Sequence, residues 1–372
     1  MIAKNWKPYT SFLAFFILIL TPLSSEKAWG CTVISLTASD GTIVYGRTME
    51  WSSSDLQTKA VVVPRGSNFQ SETPDGKLGM KWSASFGFLG FEVLDREIVD
   101  GMNEAGLAVG LFFEKGPAGF ADFDTKRSER TLDPASLVPY ILSSFSDLEE
   151  VKEGLMQIDV VPVEDPSGEN SIAGSFMVTA PSGGSMVIEF SGGKPVFSDN
   201  PLGVSTDSLS FEWQVTNLSN YGFVTGNPFE QVRAGDIEIQ PLSEGSGLLG
   251  TPGDFTSPSR FVRASIFSRY ARPTRMGIDT VQEIFRIMDS FNLPPWHETG
   301  TDLSYVENLP SGTSWTVCHD TRNRLTYYHT AFNRRVRMID LGRLDFEADF
   351  MKKIPLDATR AQDLDDVTEK FR

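Results

Sequence analysis

Cys31 combines a reactive side chain with a telling position in this chain of 372 residues. It follows a segment with Lys4 and Lys7 near the start, an apolar run from Phe12 to Leu20 closed by Thr21 and Pro22, and small residues at Ala28 and Gly30. That is the layout of a secretory signal peptide over residues 1–30, cut just before Cys31. The apolar run is too short for a permanent membrane span. The mature protein is therefore expected in the periplasm or outside the cell. Cleavage there would give Cys31 two chemical tools at once. Its thiol is a nucleophile, and its own α-amine, with a reference pKa of about 8, can take the thiol proton. Two alternatives stand beside this reading. A lipoprotein signal also puts a cysteine first, although Ala28 stands where it wants a leucine-like residue. Cleavage elsewhere would leave Cys31 an ordinary strand cysteine. Cys31 and Cys318 are the two cysteines of the chain, and in an oxidising compartment they could form one disulfide.

The residues that could assist the thiol lie close by in sequence. After Cys31, Val33, Ser35 and Thr37 alternate with Ile34 and Leu36, Asp40-Gly41 gives a turn, and Ile43 to Tyr45 begin a second run. This predicts a β-hairpin starting at the new N-terminus. Its return strand brings Arg47 near Cys31, where a cation favours the thiolate. Glu50, three residues on, could hold the amine or a substrate amide. By residue type alone, Arg47 and Glu50 read equally well as a solvated pair. Other motifs carry less. Gly245-x-Gly247-x-x-Gly250 is followed by Pro252, Gly253 and Asp254 where a dinucleotide site needs a helix. His297, His319 and His329 have no metal-ligand spacing, read as surface or sheet residues, and imply no zinc. No G-x-S-x-G elbow is present. The chemistry calls for no metal or organic cofactor.

The elements that must position these residues alternate in groups. Further hairpins are predicted in EIVDGMNEAGLAVGLFF, turning at Asn103 to Gly106, and in SFMVTAPSGGSMVIEFSGGKPVFSD, turning at Pro181 to Gly184 and at Gly192-Gly193. A last pair follows in SWTVCHDTRNRLTYYHTAFNRRVRMIDL, turning at Thr321 to Arg324. Helices are predicted from Asp133-Pro134 to about Ser144 and after a capping box of Ser146 and Glu149. Two more cover Ser257 to Tyr270 and Asp279 to Phe291, the latter stopped by Pro294-Pro295. The tail after Asp345, rich in Lys, Asp and Glu, reads as prone to fray. This order has no regular βαβ alternation and predicts one α+β domain over 31–372, with largely antiparallel sheets sandwiched by helices. The net charge is −16, and loss of Lys4, Lys7, Lys27 and Glu26 with the leader makes it more acidic still. Neither nucleic acid nor, after processing, an anionic membrane surface is an expected partner.

Six blocks together resemble the choloylglycine hydrolase and penicillin V acylase family of N-terminal nucleophile hydrolases. They are CTVISL, YGRTMEW, DGMNEAGLAVG, FEWQVTNLSNY, GSGLLGTPGDFTSPSRFVRA and LTYYHTAFNRRVRMIDL, spread in family order over nearly the whole mature chain. The resemblance implies an αββα four-layer sandwich and cleavage of a linear amide through a thioester on Cys31. It makes Arg47 the neighbouring cation and Arg260 the second arginine of the site. Glu50 stands where the family usually has Asp. Phe112 stands where it has Asn or Tyr, its backbone N–H helping an oxyanion hole, and Trp51 and Phe112 would line an apolar acyl pocket. Asp207 replaces an Asn whose amide donates to the oxyanion. A carboxylate there would repel developing charge, so either it is protonated, Asn217 substitutes, or activity is weak. On that reading Asp207→Asn holds or raises activity. Candidate substrates are small-molecule amides: conjugated bile salts, phenoxyacetyl penicillins and N-acyl homoserine lactones, with the signal peptide tilting toward the last two. The family also hints at a homotetramer. The rival reading is a periplasmic binding protein that kept the fold and lost turnover.

Overall fold

The hairpin at the start of the mature chain anchors the architecture. In the computed structural model, which describes residues 30–51, 55–113, 119–163, 174–293 and 312–372 (Trp51 by its backbone only), β1 (Gly30–Thr37) pairs antiparallel with β2 (Ile43–Trp51). Cys31 stands opposite Met49 and Val33 opposite Arg47. β1 and β2 are central strands of a six-stranded sheet with strand order Val204–Thr206, β1, β2, Gly312–Asp320, Leu325–Thr330, Arg337–Asp340. An eight-stranded sheet faces it. Its order is Lys194–Asp199, Ser185–Ser191, Gly174–Thr179, Ala108–Phe113, Glu97–Asn103, Phe88–Val93, β3 (Lys59–Val63) and Lys352–Pro355. Every neighbouring pair in both sheets is antiparallel.

The two sheets meet through aromatic and aliphatic side chains of their inner faces, with Phe91 against Trp315 at a ring separation of 5.3 Å. At Gly110 they come closer than a side chain permits: a Cβ there would lie 2.1 Å from the Tyr45 hydroxyl. Helices close both outer faces. α1 (Leu137–Ser144) and α2 (Leu148–Leu155) bury Leu137, Ile141, Leu142, Val151 and Leu155 on the eight-stranded sheet. Beyond α3 (Phe211–Leu218), α4 (Ser257–Arg269) and α5 (Gly277–Met288) lay Phe261, Ala264, Ile284 and Ile287 against Ile34, Val44 and Cys318 of the six-stranded sheet. The predicted αββα sandwich is the fold.

Three local expectations change. The cap of α2 is Asp147, one residue after the predicted Ser146: its carboxylate accepts the Glu150 N–H at 2.9 Å, and Ser146 N–H donates to Glu150 at 2.7 Å. The forward half of the box forms one position later than expected, and the return bond from Glu150 goes to Ser146, the residue before the cap. The charged tail does not simply fray, because Lys352–Pro355 adds a strand to the edge at β3. Exposed lysines on an edge strand discourage further pairing, which explains a strand that reads as disordered by composition. Cys31 and Cys318 are both free and lie in the cores on opposite faces of their sheet, so no disulfide joins them. The leader up to residue 29, Pro294-Pro295 and His297 lie outside the described residues.

Candidate active site

Side chains alternate across a strand, so β1 and β2 send Cys31, Met49 and Arg47 together to the inner face. Arg47 Nη2 donates to Cys31 Sγ at 3.2 Å and also to the Leu111 carbonyl. Its Nη1 donates to the Val99 carbonyl at 2.7 Å and to Asp100 Oδ2 at 3.0 Å. The guanidinium lies 5.0 Å from the Phe112 ring centre and 5.5 Å from that of Trp315. Asp100 takes two further donors: the Tyr45 hydroxyl at 2.9 Å, and His319 Nε2 at 2.8 Å from Oδ1. His319 Nδ1 in turn meets Thr326 Oγ1 at 2.8 Å. Arg47, Asp100 and His319 are all completely buried. Burial works against the charge on Arg47, but the Cys31 thiol and Asp100 outweigh it and raise its pKa. For Cys31 the balance goes the other way. Burial dominates, and although Arg47 pulls down, the thiol is pushed up to about 11. Arg47 favours the thiolate, as expected, but burial outweighs it, so attack needs a base.

The main chain of Cys31 is held by a second buried group on its other side. The Cys31 N–H donates to Asp207 Oδ1 at 3.3 Å. Arg260 Nη2 pairs with the same carboxylate oxygen, while its Nη1 reaches the Cys31 carbonyl and, at 2.9 Å, Thr32 Oγ1. Asp207 follows directly on the strand Val204–Thr206, whose Thr206 stands opposite Thr32. The Ser257 hydroxyl, at the start of α4, donates to the Asp207 carbonyl. Glu50 stands opposite Gly30 and accepts from Thr313 Oγ1 at 2.8 Å and Thr48 Oγ1 at 3.1 Å. Burial raises its carboxyl to about 7, against the pull of Arg260 and the two hydroxyls. Gly30 enters this cluster directly, since a Cβ on it would sit 3.4 Å from Glu50 Cβ and 3.5 Å from Arg260 Nη2.

Cys31, Arg47, Glu50, Asp207, Arg260 and Phe112 are thereby brought together around one residue. Asp207 is not the lone charge that was expected beside an oxyanion: it is paired with Arg260 and sits at the nitrogen of Cys31. Asn217 does not join. Its Oδ1 accepts from Asn220 at 3.3 Å on α3, and Gln214, one turn earlier, reaches Ser257 Oγ at 3.1 Å instead. Trp51 pairs through its backbone with Gly312, and its side chain lies outside the described residues. Asp100 was missed, although it opens the quoted block DGMNEAGLAVG, because its partners Tyr45, Arg47 and His319 reach it from the other sheet. Here it sits inside a strand whose neighbour strand carries Gly110.

Residues 31–356 match the family of linear amide C–N hydrolases, choloylglycine hydrolase family, and the chain belongs to that family. It is a hydrolase of carbon–nitrogen bonds other than peptide bonds, in linear amides. A bile salt hydrolase/transferase of Clostridium perfringens is 30% identical over 332 residues, which cover 87% of this chain and 95% of that protein. The crystal structure of a variant conjugated bile acid hydrolase from the same species superposes with a TM-score of 0.76 at 24% identity, covering 91% of this chain and 100% of that one. Penicillin V acylase from Agrobacterium tumefaciens gives 0.68 at 23% identity, over 88% of this chain and 92% of its own. Both share the N-terminal nucleophile hydrolase fold.

Proposed function

We propose that the protein is a periplasmic or secreted acylase in which removal of residues 1–30 frees Cys31 as an N-terminal nucleophile. The observation that carries this reading is the two-sided seating of Cys31, with Sγ 3.2 Å from Arg47 and the backbone nitrogen 3.3 Å from Asp207. A protonated, buried thiol needs a base within reach, and the α-amine of the same residue is one. The amine takes the thiol proton as sulfur bonds to the amide carbon. It then returns that proton to the leaving nitrogen as the C–N bond breaks, giving a thioester. Water attacks the thioester, the amine accepts its proton, and the sulfur departs with the acid released. Arg47 stabilises negative charge on sulfur in both halves. No metal or organic cofactor enters these steps.

The aromatic-rich stretch Arg-Thr-Met-Glu-Trp at 47–51 resembles that of secreted, Gram-negative-type members of the family. Together with the leader it favours phenoxyacetyl penicillins and N-acyl homoserine lactones over conjugated bile salts. A homotetramer is the assembly we propose, supported by the family and by an exposed apolar hairpin of Val232–Ala234 and Ile237–Ile239. The binding-protein reading rested on Asp207, and the pairing with Arg260 weakens it. The test is an acyl-group panel on the mature protein beside Cys31→Ala. The expected result is turnover of one acyl class, an acyl-enzyme mass on the wild type, and a fall of at least about 1,000-fold in kcat for the variant. Turnover retained by Cys31→Ala, or a lipid mass on Cys31, overturns the reading.

A further inference from the structure

The carboxylate of Asp207 has a place that its charge alone does not explain. It is buried, and a buried anion is costly unless paired and hydrogen-bonded. Its Oδ1 is engaged twice, by Arg260 Nη2 and by the Cys31 N–H. Its main chain is fixed as well: the Asp207 carbonyl accepts from Ser257, whose hydroxyl lies 3.1 Å from Gln214 Nε2. Arg260 closes the loop by holding the Cys31 carbonyl and Thr32 Oγ1, so one guanidinium orients both the carboxylate and the peptide group it faces. The thiol leaves this cluster toward Arg47 and Met49, whose Sδ lies 3.7 Å from Sγ. Asp207 is therefore built against the nitrogen of Cys31, and the sulfur faces elsewhere.

We infer that Asp207, backed by Arg260, is the residue that grips the α-amine of mature Cys31 and tunes its proton affinity, and that it has no part in binding an oxyanion. The inference rests on the proposal that Cys31 begins the mature chain. Accepting one N–H leaves the amine lone pair free to face the thiol proton, which an unanchored amine achieves only part of the time. The anion also favours the ammonium form, while Arg260 opposes it. The two residues thus set the balance between amine as base and ammonium as acid, and both forms are needed in one turnover.

The experiment starts with N-terminal sequencing and intact mass of the mature protein. The acid limb of the pH profile of kcat/KM on a phenoxyacetyl amide is then measured for wild type, Asp207→Asn and Arg260→Gln. Removing the anion leaves Arg260 beside the amine, so Asp207→Asn moves the limb to lower pH by about one unit and lowers kcat. Arg260→Gln moves it to higher pH. Opposite shifts that persist in a Glu50→Gln background support the inference, because the carboxyl of Glu50, buried beside Arg260, would otherwise move the same way. If Asp207→Asn fails to fold, the direction of the Arg260→Gln limb alone decides. An unmoved limb with a raised kcat in Asp207→Asn shows an oxyanion donor restored and overturns the inference while the N-terminal cysteine stands. A mature chain that starts anywhere but Cys31 overturns the functional reading beneath it.

Discussion

Cys31 lies between two buried charged groups of opposite construction. On the thiol side, Arg47 reaches the sulfur with its charge countered by Asp100, which three donors hold in place. On the amine side, two carboxylates, Asp207 and Glu50, surround one guanidinium, that of Arg260. The thiol side is a completely buried ion pair whose partners raise the pKa of Arg47, with Arg47 Nε left without a hydrogen-bond partner among the described residues. The amine side contains a carboxyl raised to about 7, so its charge state changes within the working range of pH. The difference teaches that the nucleophile is positioned by a fixed cation, whereas proton traffic belongs to the other face of the same strand.

That contrast can be broken at its strongest point by Arg47→Met. Asp100 is then left buried without its cation, and chemical denaturation is expected to show a loss of about 3–5 kcal/mol. Adding Asp100→Asn recovers part of that loss, and the double-mutant cycle gives the coupling. The amine side responds to pH instead. Glu50 ionises near 4.5 when unfolded and about 7 when folded, so the folded state binds the extra proton. The stabilisation contributed by Glu50 is full below about pH 4.5 and falls as pH rises toward 7, by on the order of 3 kcal/mol. Glu50→Gln flattens that slope in urea midpoints taken across the interval, and a slope that persists assigns the proton elsewhere. The smallest effect is expected for Thr326→Val, which removes the partner of His319 Nδ1. About 1 kcal/mol is lost, with the pH profile of catalysis unchanged.

The thiol side was partly legible before any coordinates, and the reason is periodicity. A tight turn at Asp40-Gly41 and two alternating runs fix which residues share a face, so Arg47 beside Cys31 follows from counting. Glu50 was legible by the same count only as a near neighbour. The alternation puts it opposite Gly30, away from the sulfur. Asp207 and Arg260 came only from the family pattern, because the strand that delivers Asp207 is three residues long and its partner lies 53 residues away on a helix. No local pattern links them, so the sequence alone shows the charge of Asp207 without its counter-charge. His319 and Asp100 are 219 positions apart and meet only because two sheets stack. The tail strand Lys352–Pro355 escaped for a different reason: edge strands are charged by selection against aggregation, and so they resemble disorder. At α2, two possible caps lay side by side, and the helix took the aspartate.

The loop Ala38–Thr42 between β1 and β2 closes on itself, with the Ala38 N–H donating to the Thr42 carbonyl at 2.8 Å and Gly41 at a φ of 82°. Its length carries more information than its composition. Inserting one residue there could keep both strands in the sheet yet slide β2 by one position, turning Arg47 toward the helices and Glu50 toward the sulfur. Inserting two would restore the original facing. The hairpin is thus a parity device: an even slide keeps a cation on the face of the sulfur but carries it about 6.6 Å along the strand, whereas each odd step exchanges the cation that steadies sulfur for an anion that opposes it.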